Sequence, residues 1–313
     1  MPHAPQGRLK AAKMSLTIIG SVALDTIETP YGNRKEILGG SATYASVSAS
    51  FFSKVNLISV VGSDFPKKHI KLLGDRGVDI RGLEVRKGKT FRWKARYRDL
   101  NAAETLSTHL NVFEGFKPNI PGHIKADGDL FLANIDPELQ RCIFDKINPK
   151  GLVSCDTMNL WITHKKKSLE KLLKKVDLFL LNDAEASQLS GEKNLFEAAK
   201  YIAAKGAKMI VIKKGEHGAL FFSPKLRFIM PAYLLEKVKD PTGAGDTFAG
   251  GMAGYLARHK KISDAVLRKA MVYGSILASF AVEQFSAENL AKVDRKGINR
   301  RYRQFEKLTK FYK

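Results

Sequence analysis

Short apolar runs alternate with amphipathic stretches along this chain, and that alternation limits the fold more than any other feature. Leu16–Leu24, Val55–Val61, Asp129–Ala133, Gly151–Cys155, Val176–Leu181 and Lys208–Ile212 read as strands. Ser41–Ser53, Lys67–Asp75, Leu139–Asn148, Lys166–Lys175 and Leu195–Lys205 read as helices between them. Strand, helix, strand at this spacing predicts parallel βαβ units with helices on both faces, an α/β fold. Two longer helical patterns fill Asp246–Ala281, broken around Lys260–Ser263, and no internal repeat is present. The length of 313 residues suits one such unit, and a hydrophobic fraction of 44% excludes global disorder.

An insert at about residues 84–113 departs from this rhythm. Thr90–Tyr97 alternates strictly, with Phe91, Trp93, Ala95 and Tyr97 on one face and Arg92, Lys94, Arg96 and Arg98 on the other. Period two with aromatic residues predicts a strand, apolar on one side and basic on the other. A second strand-like segment, Thr105–Val112, follows after Asn101. Together they predict a small antiparallel flap that could act as a lid.

Charge and cysteines bound the partners. The formal net charge is +22, and Lys292–Lys313 is a basic helix or tail with nine Lys/Arg against Asp294 and Glu306. Cys142 and Cys155 are too few for a disulfide framework or a thiolate zinc site, and read as core residues suited to a reducing cytoplasm. No apolar run approaches the roughly 20 residues of a membrane span. Residues 1–13 form a basic extension without the apolar segment of a signal peptide, which makes Met14 a candidate start. The main body is then 14–290 and the basic tail 291–313.

The chemistry concentrates in Asp240-Pro241-Thr242-Gly243-Ala244-Gly245-Asp246. A strand-like run ends near Lys239, a glycine-rich turn follows, and a helix begins around Asp246. Glycines let backbone N–H groups approach an anion, and a helix N-terminus adds favourable partial charge. That arrangement would hold a phosphoryl group, with Asp246 at its mouth, where a carboxylate could accept a proton from an attacking hydroxyl. An Asp that merely caps a helix would explain one such residue, but not the whole string. Gly82 to Thr90 imitates a phosphate-binding loop, yet it has five residues between its glycines and leads into a strand. The seven histidines show no metal spacing.

That string resembles the C-terminal signature D-T-x-G-A-G-D of the PfkB (ribokinase-like) family of carbohydrate and nucleoside kinases, with Pro241 as a variation. The resemblance extends from about Met14 to about Ala281. It implies a three-layer α/β/α domain with a mainly parallel central sheet and a small β-strand lid. It also implies an ATP-dependent kinase acting on a primary hydroxyl, with Asp246 as catalytic base and Gly243–Gly245 as anion hole. Gly39-Gly40-Ser41-Ala42 is similar to the family's substrate-closing Gly-Gly motif, and closer to its adenosine-kinase-like branch than to the ribokinase-like Gly-Gly-Lys-Gly. Asp25, at the end of Gly20-Ser21-Val22-Ala23-Leu24-Asp25, resembles the carboxylate that binds sugar hydroxyls. Asn182-Asp183-Ala184-Glu185 resembles the N-x-x-E motif that positions Mg²⁺, here through water; read without the family it is an N-cap with a capping-box acid. Lys213-Lys214-Gly215-Glu216-His217-Gly218 corresponds to the nucleotide-binding stretch T-x-G-x-x-G, with Gly215 and Gly218 in place and Lys213 where threonine is usual. Thr242 joins the nucleotide side. Tyr44 stands where many members carry a substrate-binding asparagine. Potassium is a further cofactor some members use, and backbone oxygens near Asp240 and Thr242 would hold it.

Two classes of function compete. A small-molecule kinase would place Phe91 and Trp93 against a nucleobase, or use Arg92, Lys94 or Arg96 to grip an acceptor already bearing phosphate. A free or phosphorylated sugar is the alternative acceptor, and the aromatic face could instead clasp a dimeric lid. A nucleic-acid-binding module would use the basic segments Arg81–Arg98, His164–Lys175 and the tail. That second class is disfavoured, because high charge alone measures stickiness rather than recognition. The expected protein is a cytoplasmic kinase, a monomer or a lid-mediated homodimer, with no membrane partner.

Overall fold

The computed structural model describes residues 15–124 and 126–310. The expected extension 1–13, a start at Met14 and tail residues 311–313 lie outside them. In chain order the strands are β1 (Ser15–Ile19), β2 (Ala23–Thr29), β3 (Gly32–Gly39), β4 (Lys54–Gly62), β5 (Val78–Arg86), β6 (Phe91–Asp99), β7 (Ala102–His109), β8 (Asp129–Leu132), β9 (Val153–Asp156), β10 (Leu178–Asn182), β11 (Met209–Lys213), β12 (Ala219–Phe222) and β13 (Arg227–Met230). The helices are α1 (Ser41–Ala49), α2 (Lys67–Asp75), α3 (Pro137–Ile147), α4 (Asn159–His164), α5 (Lys166–Leu173), α6 (Asp183–Ser190), α7 (Leu195–Ala204), α8 (Ala244–Leu256), α9 (Asp264–Ala281), α10 (Ala287–Ala291) and α11 (Arg295–Thr309).

A nine-stranded sheet in the order β13-β12-β11-β10-β9-β8-β1-β4-β5 forms the middle layer. Every neighbouring pair from β11 to β5 is parallel, and β12 and β13 add antiparallel pairings at one edge. Period-two alternation splits each central strand between two cores. On β10, Leu178 and Leu180 face one core, shared with α1, α8 and α9. Phe179 and Leu181 face the other, shared with α5, α6 and α7. This is the three-layer α/β/α arrangement expected from the sequence. Close helix packing on the first face uses Gly250 and Gly254 of α8, where a Cβ would meet the Ala45 and Ala49 backbone at 2.3 Å and 2.6 Å.

The run Leu16–Leu24 is not one strand. β1 ends at Ile19, and the chain crosses at Gly20–Val22 into β2, which leaves the central sheet altogether. Asp25 therefore sits on a lid strand rather than at the end of the first core strand. The lid is a four-stranded sheet in the order β3-β2-β6-β7, with β2 and β6 parallel. The flap predicted from Thr90–Val112 is only half of it, and the sheet is mixed rather than antiparallel. The strand-like run before Asp240 is also absent: β13 ends at Met230, and residues 231–243 are irregular up to the turn that opens α8. Cys155 is buried, but Cys142 is exposed, because α3 turns Gln140 and Ile143 inward and leaves Cys142 on its outer side.

The basic tail is anchored rather than loose. Ile298 and Phe305 of α11 are buried, Tyr302 stacks on Tyr273 at 5.1 Å, and Arg301 bonds Ser279 and Glu283 at 2.6 Å each.

Candidate active site

Adjacent parallel strands deliver polar residues to one edge of the sheet. At or just beyond the carboxyl ends of β8, β9, β10 and β11 stand Asn134, Asp156, Asn182 and Lys213. Ligands of open α/β sheets gather outside these ends, near the point where strand order reverses. Here that point is β1, flanked by β4 and β8. The N-terminus of α8 faces the same edge. A cleft of about 420 Å³ lies between this edge and the lid, reached by Asp25, Gly40, Tyr44, Phe91, Trp93, Tyr97, Thr242, Gly243 and Asp246.

The glycine-rich turn forms as expected, with a shift in its donors. Gly243 caps α8 at φ 73°, a left-handed conformation open to glycine, and any Cβ there would lie 2.4 Å from the Tyr44 ring. The Ala244 amide donates to Pro241 O at 3.1 Å, so it is not free for an anion. Among the described residues, the Gly245 and Asp246 amides have no acceptor. They are first-turn donors of a helix and point where negative charge is favoured. The predicted hole of Gly243, Ala244 and Gly245 is thus corrected: Gly243 makes the turn, and Gly245 and Asp246 carry the open donors.

Asp246 lies in the first turn of α8, and no described residue donates a hydrogen bond to its carboxyl. Burial pushes that carboxyl up to about 7; nearby Asp156 adds to the rise and Lys213 opposes it. A carboxylate near neutrality with a free face is suited to take a proton from a hydroxyl. Asp25 is buried beneath the lid, with Oδ1 unpartnered. Burial pushes it up to about 8, opposed by the Gly40 amide and reinforced by Asp240 and Asp246. A Cβ on Gly39 would lie within the Asp25 carboxyl, and one on Gly40, at φ 96°, would strike Ser21 O at 2.5 Å. The paired glycines therefore let Asp25 fold against the α1 N-terminus.

Asn182 and Glu185 form a reciprocal capping box on α6, each side chain accepting from the other's amide at 2.7 Å. Burial pushes the Glu185 carboxyl up to about 7, opposed first by Lys213. The capping box is the local reading, and it leaves Glu185 Oε1 outside these bonds. Among the described residues, no group of three or more His, Cys, Asp or Glu could hold a metal ion directly. A divalent ion fits here only with water and phosphate completing its shell, which is how Mg²⁺ is commonly bound. Asp240 is buried, its Oδ1 accepting from the Thr242 amide and its Oδ2 without a partner. That orphaned acceptor fits a monovalent cation beside the anion-binding turn.

Lys213 points into the site. Its Nζ bonds Asp156 Oδ2 at 2.7 Å and would sit 3.1 Å from a Cβ on Gly245. Gly215 and Gly218 adopt φ 53° and 89° around a short 3-10 turn. Gly218 has a packing reason as well, because a Cβ there would meet Met230 O at 2.0 Å. The lid tip reaches this turn: Asn101 Nδ2 donates to Glu216 Oε1 at 3.4 Å.

Phe91, Trp93 and Tyr97 line the cleft as the alternating pattern predicts, and Tyr97 OH also bonds Thr242 Oγ1 at 3.2 Å. The opposite, basic face of β6 is spent on acidic residues of the lid and of the turn after β4. Arg92 pairs with Glu36 and Asp64, Lys94 and Arg96 with Glu28, and Arg98 with Glu104. The expectation that Arg92, Lys94 or Arg96 would grip a phosphorylated acceptor therefore fails, because they face away from the cleft and already have counter-ions. Sequence reasoning missed Asp156, Asn134 and Trp161. Asp156 lay at the end of a strand read as stopping at Cys155, and Trp161 Nε1 donates to Asn134 Oδ1 at 3.0 Å to close the far wall.

Comparison with known proteins bears on the family and the fold. The profile of the pfkB family carbohydrate kinases matches residues 13–293. The chain is 29% identical over 264 residues to a cytidine kinase of Thermococcus kodakarensis, covering 81% of this chain and 92% of that one. Among solved structures, the Methanocaldococcus jannaschii nucleoside kinase superposes with a TM-score of 0.75 at 22% identity, covering 94% of this chain and 100% of that one. The Vibrio cholerae fructokinase bound to fructose, ADP and calcium superposes equally well, with a TM-score of 0.75 at 19% identity over 93% of this chain and 99% of that one.

Proposed function

The chain belongs to the pfkB family of carbohydrate kinases, enzymes that use ATP and a divalent cation to phosphorylate a hydroxyl, and from that premise we propose that it transfers the γ-phosphoryl group to the primary hydroxyl of a nucleoside. The observation that carries the reaction type is Asp246, a carboxyl that burial raises to about 7, without a hydrogen-bond donor among the described residues and beside two unpaired helix amides. In this reading the carboxylate takes the acceptor's proton, while the Gly245 and Asp246 amides stabilise charge on the transferred group. Asp25 accepts hydrogen bonds from the sugar hydroxyls, helped by Gly39 and Gly40, and the lid keeps water out. Thr242, Lys213, Gly215 and Gly218 form the nucleotide side. Asn182 and Glu185 would hold Mg²⁺ through water, and the Asp240–Thr242 segment would hold K⁺ where one is used. The divalent ion supplies charge neutralisation to the phosphates when bound.

The lean to a nucleoside rests on the cleft walls. Phe91, Trp93, Tyr97 and Trp161 present aromatic surface on which a base can stack, while the lid's arginines are not available for a phosphate. The relative from Thermococcus kodakarensis is a cytidine kinase, which makes cytidine the first acceptor to test. ADP release measured across nucleosides, pentoses, hexoses and sugar phosphates, with and without K⁺, decides the matter. Turnover of cytidine or another nucleoside supports the assignment; turnover of free hexoses alone removes it.

A further inference from the structure

We propose that Asp156 is a positioning residue of the phosphoryl-transfer site, seating the Lys213 ammonium against the anion-binding turn so that it contacts the transferring phosphate. This inference rests on the kinase reading above. Lys213 ends β11 and Asp156 ends β9, with β10 between them, so the bond at 2.7 Å crosses the mouth of the sheet rather than a packed face. Asp156 is 2% exposed, and its other contacts fix it: Oδ1 accepts from the Thr157 amide at 2.9 Å, and its main-chain oxygen accepts from buried Gln140 at 3.1 Å. With one carboxylate oxygen held by its own backbone turn, the other presents the ammonium beside Gly245, one of the two open amide donors.

Charge explains why a cation belongs there. Lys213 interacts with Asp156, Glu185 and Asp246, and it is the single basic group among them. Asp25, Tyr44 and Tyr97 look in from α1 and the lid and add no positive charge. Without Lys213, three carboxyls would face the polyphosphate of the incoming nucleotide. A buried ion pair is weak evidence for stability, since desolvation offsets its attraction, so the pair's place at the anion site points to chemistry instead.

Steady-state kinetics on K213M, K213R, D156N and the D156N/K213M double variant test this. Replacing one donor to a developing anion typically lowers kcat by ~10²–10³, and K213M should fall in that range with acceptor KM unchanged. K213R should recover part of the loss. D156N should lower kcat by less, and the double variant should be no slower than K213M, because Asp156 acts through Lys213. Independent, multiplicative losses in the double variant, or wild-type kcat in K213M, would overturn the proposal. The double variant carries no lone buried charge, so it remains informative where a single variant fails to fold: folded with a large kcat loss it supports the proposal, and folded with wild-type kcat it overturns it. D246N separates the two levels. If it is inactive while K213M is normal, only the role of the pair is lost; if it turns over normally, the kinase assignment of Asp246 falls.

Discussion

Asp246 and Asp25 are both lifted by burial, and the two shifts have separate consequences for pH. In the proposed reaction the Asp246 carboxylate takes the acceptor's proton, so kcat/KM should rise as pH passes upward through about 7, and a pH–rate profile measures it. D246N should lower turnover by about 10²–10⁴ while nucleotide binding, read by calorimetry, persists. Asp25 bears on stability. Its folded value, about 8, lies above that of an unfolded chain, so the folded state holds a proton that the unfolded state has released. That contribution is complete below about 4 and lost as pH rises through about 8, on the order of a few kcal/mol. D25N should therefore lose acceptor affinity yet gain in Tm over the wild-type chain as pH goes from 5 to 8; a constant gap would count against the shift. Asp246 was legible because a glycine-rich string marked it, and Asp25 only through the family resemblance. Asp156 was not, since its role depends on Lys213 reaching across β10, which no local pattern encodes.

In the proposed reading the lid decides acceptor choice, and its aromatic strand was readable from period-two alternation alone. Its other half was not. β2 and β3 carry ordinary strand patterns, and only long-range pairing of Ala23–Glu28 with Phe91–Arg96 assigns them to the lid. The basic face of β6 was misread for the same reason: Glu28, Glu36 and Asp64 come from distant segments. Trp93 is the strand's test. W93A should raise nucleoside KM by an amount corresponding to about 1–3 kcal/mol of lost base stacking, leaving ATP KM unaltered. An equal effect on a free pentose would show that Trp93 only packs the lid. On α8, G243A forces a left-handed backbone on alanine and drives its methyl group into Tyr44. A loss of about 1–3 kcal/mol is expected from the backbone alone, measured by denaturant unfolding, and a smaller residue at Tyr44 should relieve only the steric part.

At the scale of the molecule, the parallel sheet and its two helical layers followed from the alternation of runs, whereas the C-terminal segment read as a basic helix or tail with no packing role assigned. α11 in fact covers α9, with Ile298 and Phe305 buried. Deleting residues 292–313 should lower stability by about 3–6 kcal/mol, from two apolar side chains at about 1.5–3 kcal/mol each, with no site residue removed. A thermal melt of the shortened chain checks this; an unchanged Tm would show that α11 is dispensable. The lid's parallel β2–β6 pairing has a consequence in time. Two strands joined in parallel cannot close as a local hairpin, and here the intervening chain is β3, α1, β4, α2 and β5. The cover therefore joins segments far apart in the chain, and a ribosome must release more than a hundred residues before β7 completes it. In refolding, far-ultraviolet helix signal should return before Trp93 fluorescence, so that this chain acquires its scaffold first and its means of choosing an acceptor last.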